Sequence, residues 1–334
     1  MQALFGVGDL NLKELEDELA VRLCVRDGSV EISGETTDSV EAASQTLRTL
    51  DRMRELGEKI DVFAVGRAAD MVRGGNADAT VAAMKDIVCY TCSGAPIKCR
   101  TLGQKKYVNA MRENTVTIAI GPAGTGKTYL AVAEAVSLLK RKQVSKIIMC
   151  RPAVEAGEKL GFLPGDLQAK VDPYLRPLYD ALDELLGPET VARYMENRVI
   201  EIAPLAYMRG RTLKDAAVLT DEAQNMTLMQ HLMILSRLGE GSKMVLTGDV
   251  TQIDLPSHED SGLEKCAKIL ADVDDIAIIR LTGTDVIRHR LVGKIVDAFE
   301  AYHAKQERQA KQTKPGQAPQ KPKGNAPRNK KKKP

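Results

Sequence analysis

The sequence has no apolar run approaching the roughly 18 residues that a membrane span requires. Its first residues, MQALFGVGDLNLKELEDELA, lack the basic start, apolar centre and small-residue cleavage site of a secretory leader. Both absences lead to the expectation of a soluble, cytoplasmic protein with no membrane partner. Cysteine is sparse. Six residues (Cys24, Cys89, Cys92, Cys99, Cys150 and Cys266) in a chain of 334 do not make a disulfide framework, so reduced thiols are expected. Cys89-x-x-Cys92 with Cys99 nearby resembles the start of a zinc site, but a fourth ligand is missing from the neighbourhood and the four histidines lie elsewhere. Structural cysteines are the plainer reading. No internal repeat is visible.

A further absence is local. Residues 304–334 contain no Ile, Leu, Val, Met or aromatic residue, so this segment cannot bury enough surface to offset the entropy of ordering it. It reads as a disordered basic tail, with eleven Lys or Arg against the single acid Glu307. Against a whole-chain net charge of +3, that leaves residues 1–303 at −7. The run Lys330 to Lys333 suits contact with RNA phosphates through counterion release; a solubilising tail is the alternative.

What is present divides at about residue 95. Residues 1–95 read as a small α+β domain. An amphipathic helix near Asn11 to Leu19 leads to strands Val21–Arg26 and Ser29–Ser33 around Asp27-Gly28, and then to a helix from Thr37 to Leu56. Further helices are expected from about Asp61 to Arg73 and from Ala77 to Tyr90. This helix–hairpin–helix start is KH-like, yet no clear GxxG loop of the kind that clamps a nucleic-acid backbone is present; a docking or oligomerisation domain is the other reading.

Residues 96–303 change pattern to short apolar strands alternating with helices, the signature of a parallel α/β sheet. The expected strands are Thr115–Ile120, Lys146–Cys150, Val199–Ile202, Ala216–Thr220, Lys243–Thr247 and Ile276–Leu281, with a last helix from about Asp285 to His303. Their continuous apolar character suits strands buried on both faces.

The chemistry is carried first by GPAGTGKT, the residues Gly121, Pro122, Ala123, Gly124, Thr125, Gly126, Lys127 and Thr128, lying between the strand TVTIAI and the helix YLAVAEAV. This is the G-x-x-x-x-G-K-[ST] phosphate loop. Its glycines let backbone N–H groups converge on phosphate oxygens at a helix start. Lys127 is expected to reach the β and γ phosphates and Thr128 to ligate Mg²⁺, so the expected ligands are ATP and Mg²⁺.

A second strand, AAVLT, ends in Asp221-Glu222 and delivers two carboxylates to the same sheet edge. Asp221 would hold the metal and Glu222 would activate the attacking water; a helix cap is the bland alternative. A third strand, KMVLT, runs on through Gly248-Asp249 to Gln252, whose amide suits the γ-phosphate or its water, unless this is simply a polar loop. Upstream, the amide of Gln104 has the donor and acceptor pair that an adenine edge needs.

Several long strings occur in order: the phosphate loop, RPAVEAGEKLGFLPGDL at Arg151 to Leu167, PLAYMRGRTL at Pro204 to Leu213, DEAQN at Asp221 to Asn225, and GDVTQIDLP at Gly248 to Pro256. Together they resemble the PhoH family over residues 96–303. The resemblance implies a cytoplasmic ATPase with a core similar to the first RecA-like domain of superfamily 1 helicases, associated with RNA metabolism and in some members with an endoribonuclease. It makes Gln104 the adenine-reading residue and Gln252 the γ-phosphate sensor. It also implies a homo-oligomeric ring, such as a hexamer, with ATP at subunit interfaces.

The sequence is expected to hold one motor domain where such a helicase has two, so a cationic finger is sought elsewhere. The candidates are Arg288, Arg290, Arg209 and Arg211. Arg151 and Lys159, in a polar loop carrying Gly157, Gly161 and Gly165, are expected to contact RNA; a packing loop is the alternative. Two further functions stand against an RNA-associated ATPase: a P-loop kinase acting on a small molecule, and a nucleotide-gated adaptor without turnover. Glu222 beside Asp221 favours hydrolysis.

Overall fold

The computed structural model describes residues 2–26, 29–152, 167–256 and 260–287, together with the isolated positions 292, 295 and 298. The chain divides into two compact units, Met1–Ile287 and Arg288–Pro334, and the first carries everything that follows. Short α1 (Gln2–Phe5) and amphipathic α2 (Leu10–Leu19) precede an antiparallel hairpin of β1 (Val21–Arg26) and β2 (Ser29–Gly34). Three helices follow: α3 (Thr37–Glu55), α4 (Val62–Arg73) and α5 (Ala77–Ala83). Polar caps place two of these starts, because Thr36 accepts from Ser39 N at 3.2 Å and Asp61 from Ala64 N at 2.9 Å. The apolar faces of these elements meet around Leu15, Leu50, Met53 and Val65.

The helix expected to run from Ala77 to Tyr90 stops at Ala83. Ile87–Tyr90 is instead β3, paired antiparallel with β4 (Pro96–Lys98). The stretch Ile-Val-Cys-Tyr is rich in β-branched and aromatic side chains, and Gly94, with φ of 86°, supplies the turn back. Val88 and Cys89 belong to the apolar cluster of the larger α/β part, whereas Met84 belongs to that of the N-terminal elements.

The α/β part opens with α6 (Leu102–Glu113) and is built on a six-stranded parallel sheet. Its strands are β5 (Val116–Ile120), β6 (Lys146–Arg151), β7 (Ile200–Pro204), β8 (Ala216–Thr220), β9 (Lys243–Gly248) and β10 (Ile276–Arg280), in the spatial order β10-β5-β9-β8-β6-β7. This is the parallel α/β architecture that the strand spacing predicts. Alternation sends Ala119, Met149 and Leu219 to the layer of α7 (Lys127–Lys140) and α8 (Leu167–Leu186), and Ile118, Ile148 and Val218 to the opposite layer. A fully buried side chain such as Ile118 contributes about 1.5–3 kcal/mol by leaving water. Beyond α8 lie α9 (Pro188–Glu196), α10 (Leu228–Leu235) and α11 (Leu263–Ile269).

The helix expected from Asp285 to His303 is described at positions 292, 295 and 298 alone, while Asp285 itself closes a 3-10 turn, Gly283–Asp285. Arg288, Arg290, Lys159 and residues 304–334 lie outside the described residues. No helix among the described residues is long and apolar enough to cross a membrane.

Candidate active site

Because β9 lies between β5 and β8, the loop that follows β9 opens between the loop after β5 and the carboxylates after β8. All three strands are parallel, so their C-terminal ends share one edge of the sheet. A cavity of about 290 Å³ sits there, lined among others by Lys127, Thr128, Asp221, Glu222, Asp249 and Gln252. The sheet thus brings the residues singled out in three separate sequence strings into one place.

The loop Gly121 to Gly126 passes from β5 into α7, with Gly126 as the residue before the helix at φ of 77°. Gly121 is fixed by space instead: a Cβ there would lie 2.6 Å from the Leu281 carbonyl oxygen. Lys127 is buried, and its ammonium donates to the carbonyls of Gly121 at 2.6 Å and Pro122 at 2.9 Å. The cation is therefore folded back onto its own loop, over ground that a phosphate group would contest. The loop is braced from several sides, by Ala123 N donating to Asp249 Oδ2 at 2.9 Å, Thr125 Oγ1 to Pro122 O at 2.9 Å, and Ile287 N to Gly124 O at 2.9 Å. Beneath it, the Tyr107 hydroxyl donates to Lys127 O at 3.2 Å; burial, with the Asp221 charge second, holds that phenol protonated well above its ordinary range.

Asp221 is buried, and its Oδ1 accepts from Thr128 Oγ1 and from Thr247 Oγ1, each at 2.7 Å. A hydroxyl and a carboxylate converging in this way are the hard-oxygen donors that Mg²⁺ uses when it keeps water and phosphate as its remaining ligands. Among the described residues no three His, Cys, Asp or Glu side chains gather as an all-protein metal cage. Cys99 in particular is fully buried, which pushes its thiol up to about 11.

Glu222 follows in the left-handed region, with φ of 55°. Its Oε1 accepts from Arg151 Nη2 and its Oε2 from Gln224 Nε2. Gln224, wholly buried, also donates to Gln252 O at 2.9 Å and accepts from Asp249 N at 3.0 Å. The Gln252 amide in turn donates to Asp249 Oδ2 at 2.8 Å. Gln224 and Asp249 thus join the two carboxylate-bearing segments. The sequence held both within quoted strings, yet gave neither a role, because a buried Gln between two loops has no local spacing to betray it.

Three expectations meet a different placement. Gln104 is buried and absent from the cavity lining; its amide donates to Thr125 O at 3.0 Å and accepts from Arg100 N at 2.8 Å. It braces the phosphate loop, and any use at an adenine edge would require leaving those partners. Arg151, read as an RNA contact, lies instead on Glu222, with its Nε 3.9 Å from Asp221 Oδ2. Arg211, a candidate finger, is committed to Glu201 through two hydrogen bonds, one of them 2.7 Å long. Arg209 is exposed.

A second, larger cleft of about 710 Å³ adjoins the loop. It runs between α4, the start of α6 and residues 282–287, and its lining includes Asn76, Thr80, Thr101, Leu102, Thr284 and Ile287. Ile287 connects the two spaces through its bond to Gly124.

Residues 96–300 match the family model described as PhoH-like protein. The chain is 51% identical over 300 residues to the PhoH-like protein of Mycobacterium tuberculosis (strain ATCC 25618 / H37Rv), covering 90% of this chain and 84% of that one. It is 48% identical over 298 residues to the PhoH-like protein of Bacillus subtilis (strain 168), covering 89% and 93% respectively. To Protein PhoH of Escherichia coli (strain K12) it is 40% identical over 207 residues, covering 61% and 58%. Among solved structures, the Sulfolobus solfataricus SWI2/SNF2 ATPase core in complex with dsDNA matches at 15% identity and a TM-score of 0.34, over 54% of this chain and 43% of that one. The Pif1 helicase from Candida albicans matches at 14% identity and a TM-score of 0.29, over 55% and 40%.

Proposed function

The chain belongs to the PhoH-like protein family, and from that premise we propose that it is a Mg²⁺-dependent ATPase acting in RNA metabolism. The observation that carries the reading is the single cavity shared by Lys127, Thr128, Asp221, Glu222 and Gln252.

Thr128 and Asp221 would hold Mg²⁺, which supplies neutralising charge to the phosphate oxygens when bound. The remaining work falls to the chain itself. Lys127 exchanges the Gly121 and Pro122 carbonyls for phosphate oxygens, and the N–H groups at the start of α7 add an anion-binding helix end. Glu222 takes the proton of the attacking water, and the Gln252 amide, lining the same cavity, orients that water. The base and ribose extend into the cleft between α4, α6 and residues 282–287, because the cavity at the loop is sized for phosphate and metal.

A second copy of the chain packing at this rim is favoured by exposed apolar side chains close to the site, Val250 and Ile253 on either side of Gln252 and Met229 and Leu232 on α10. Such a ring would also present an arginine from a neighbour; light scattering with and without nucleotide tests it. A working association with an endoribonuclease fits an RNA-directed ATPase, and co-purification with RNA processing enzymes is its check.

The central test compares ATP turnover of the wild type, Lys127→Ala and Glu222→Gln, with and without single-stranded RNA. Wild-type turnover stimulated by RNA is expected. Glu222→Gln should bind ATP while losing about 10²–10⁴ in rate, and Lys127→Ala should fail at binding. Lys127→Ala turning over at the wild-type rate would overturn the site.

A further inference from the structure

Arg151 is the last residue of β6, and Cys150 before it pairs with Thr220 at the end of β8. Asp221 N donates to Cys150 O at 2.9 Å, so the chain just beyond β8 stays stitched to β6 where Arg151 leaves the sheet. From there the guanidinium reaches Glu222 Oε1 and brings its Nε to 3.9 Å from Asp221 Oδ2. The other Glu222 oxygen is taken by Gln224. Glu222 is the group that must accept a proton from water in the proposed reaction, and both of its oxygens already face donors of the protein.

The two donors are unlike. Gln224 is wholly buried and tied on its far side to Asp249 N and Gln252 O, so it is part of the frame. The Arg151 side chain is 19% exposed and stands at the sheet edge outside the cavity lining. It is the one of the two that a group in solution can reach. A guanidinium binds phosphate oxygens in the same forked geometry that it uses for a carboxylate, and a polyanion adds counterion release that one glutamate cannot match.

We propose that Arg151 is a positioning residue that holds Glu222 in an idle ion pair, and that a single-stranded nucleic acid releases Glu222 by drawing the guanidinium onto its phosphodiester backbone. This rests on the ATPase reading above and deepens it: Arg151 then serves both the nucleic acid and the reaction. The opposite view, in which Arg151 is a fixed anchor that Glu222 needs for catalysis, predicts the opposite sign on removing it.

The test uses the full chain at saturating ATP, as wild type, Arg151→Ala, Arg151→Gln and Arg151→Lys, each alone, with mixed-sequence single-stranded RNA, and with single-stranded DNA of the same sequence. Wild type should be stimulated at least about threefold by RNA. Arg151→Ala and Arg151→Gln should start at least about threefold above the unstimulated wild type, with KM for ATP within about twofold, and gain less than about twofold from either polymer. Arg151→Lys, which keeps the charge, should retain most of the restraint and most of the stimulation. Stimulation by both polymers identifies the phosphodiester as the trigger, and stimulation by RNA alone identifies RNA as its source.

Arg151→Gln that binds ATP as tightly as wild type yet turns over no faster without nucleic acid overturns the latch, as does undiminished stimulation in that variant. A wild type that hydrolyses ATP but ignores both polymers overturns the release. Silence of wild type and all three variants overturns the ATPase reading itself, whereas a wild type silent with both polymers beside an active Arg151→Gln keeps the latch and overturns its release by nucleic acid.

Discussion

Thr128 Oγ1 donates to Asp221 Oδ1 at 2.7 Å, joining residues 93 positions apart in the chain. One belongs to the first turn of α7 and the other to the end of β8, and the bond forms because the strand between them, β9, contributes Thr247 to the same carboxylate oxygen. The phosphate loop and the acidic pair are therefore held in register by hydrogen bonds of the protein itself.

Asp221→Asn keeps the shape of this junction while removing its charge. The variant is expected to lose at least about a hundredfold in turnover and to need higher Mg²⁺ for half-maximal rate, since the amide is a poor ligand for a hard cation. Rates measured across a Mg²⁺ titration check this, and an unchanged half-maximal Mg²⁺ concentration would remove Asp221 from the metal site.

Gln224→Leu removes the link between the two carboxylate-bearing segments. It leaves the buried Asp249 N without its acceptor, a cost of about 1–3 kcal/mol, and the exposed Gln252 without the donor to its carbonyl. The urea midpoint should fall, and turnover should fall with it because Glu222 and Gln252 lose their common support. A normal midpoint with normal turnover would count against the role of Gln224 as frame.

Thr284→Trp places an indole in the larger cleft, where Thr284 is exposed and part of the lining. Affinity for ATP should fall about tenfold, while affinity for inorganic tripolyphosphate, which has no base or ribose, should hold. Equal loss for both ligands would move the base elsewhere.

His231 gives a pH dependence of stability. It is fully buried on α10, with Nδ1 2.9 Å from Thr227 O and Nε2 without a partner, and burial lowers its pKa below the ordinary 6.5. The folded state thus binds fewer protons there than the unfolded chain, and the stability present above about pH 6.5 is lost as the pH falls below it. The slope from this one group is at most about 1.4 kcal/mol per pH unit. Unfolding of wild type and His231→Gln at pH 7.5 and 5.5 isolates it: the difference between the two proteins should shrink or reverse at the lower pH.

The strands and the phosphate loop were legible because their signals are local. An apolar run such as Val-Thr-Ile-Ala-Ile needs burial on both faces, and GPAGTGKT has its meaning in the spacing of its own residues. Asp221-Glu222 and Gln252 were legible by position, each following such a strand. Ile87–Tyr90 was misread because it follows a helix without a proline to end it, and its strand pairing depends on Pro96–Lys98 beyond a turn. Gln104 and Arg151 were legible as residues but not in their contacts. A buried amide takes the nearest free backbone groups, here Thr125 O and Arg100 N, and a guanidinium at a sheet edge takes the nearest carboxylate, neither of which spacing reveals. Gln224 stood inside a quoted string without a role, since the two partners that make it a link lie on another loop 25 to 28 residues away.

The bond from Ile287 N to Gly124 O limits what the chain tolerates in its length. Leu281 crowds Gly121 and Ile287 grips Gly124, so the residues between them must span two fixed points on the phosphate loop. A single residue inserted between 281 and 287 would pull one of those points out of place, although no residue of that segment lines the cavity at the loop. The exposed turn at Ser93-Gly94 is under no such constraint, and a tag or fluorophore placed there should leave nucleotide binding intact.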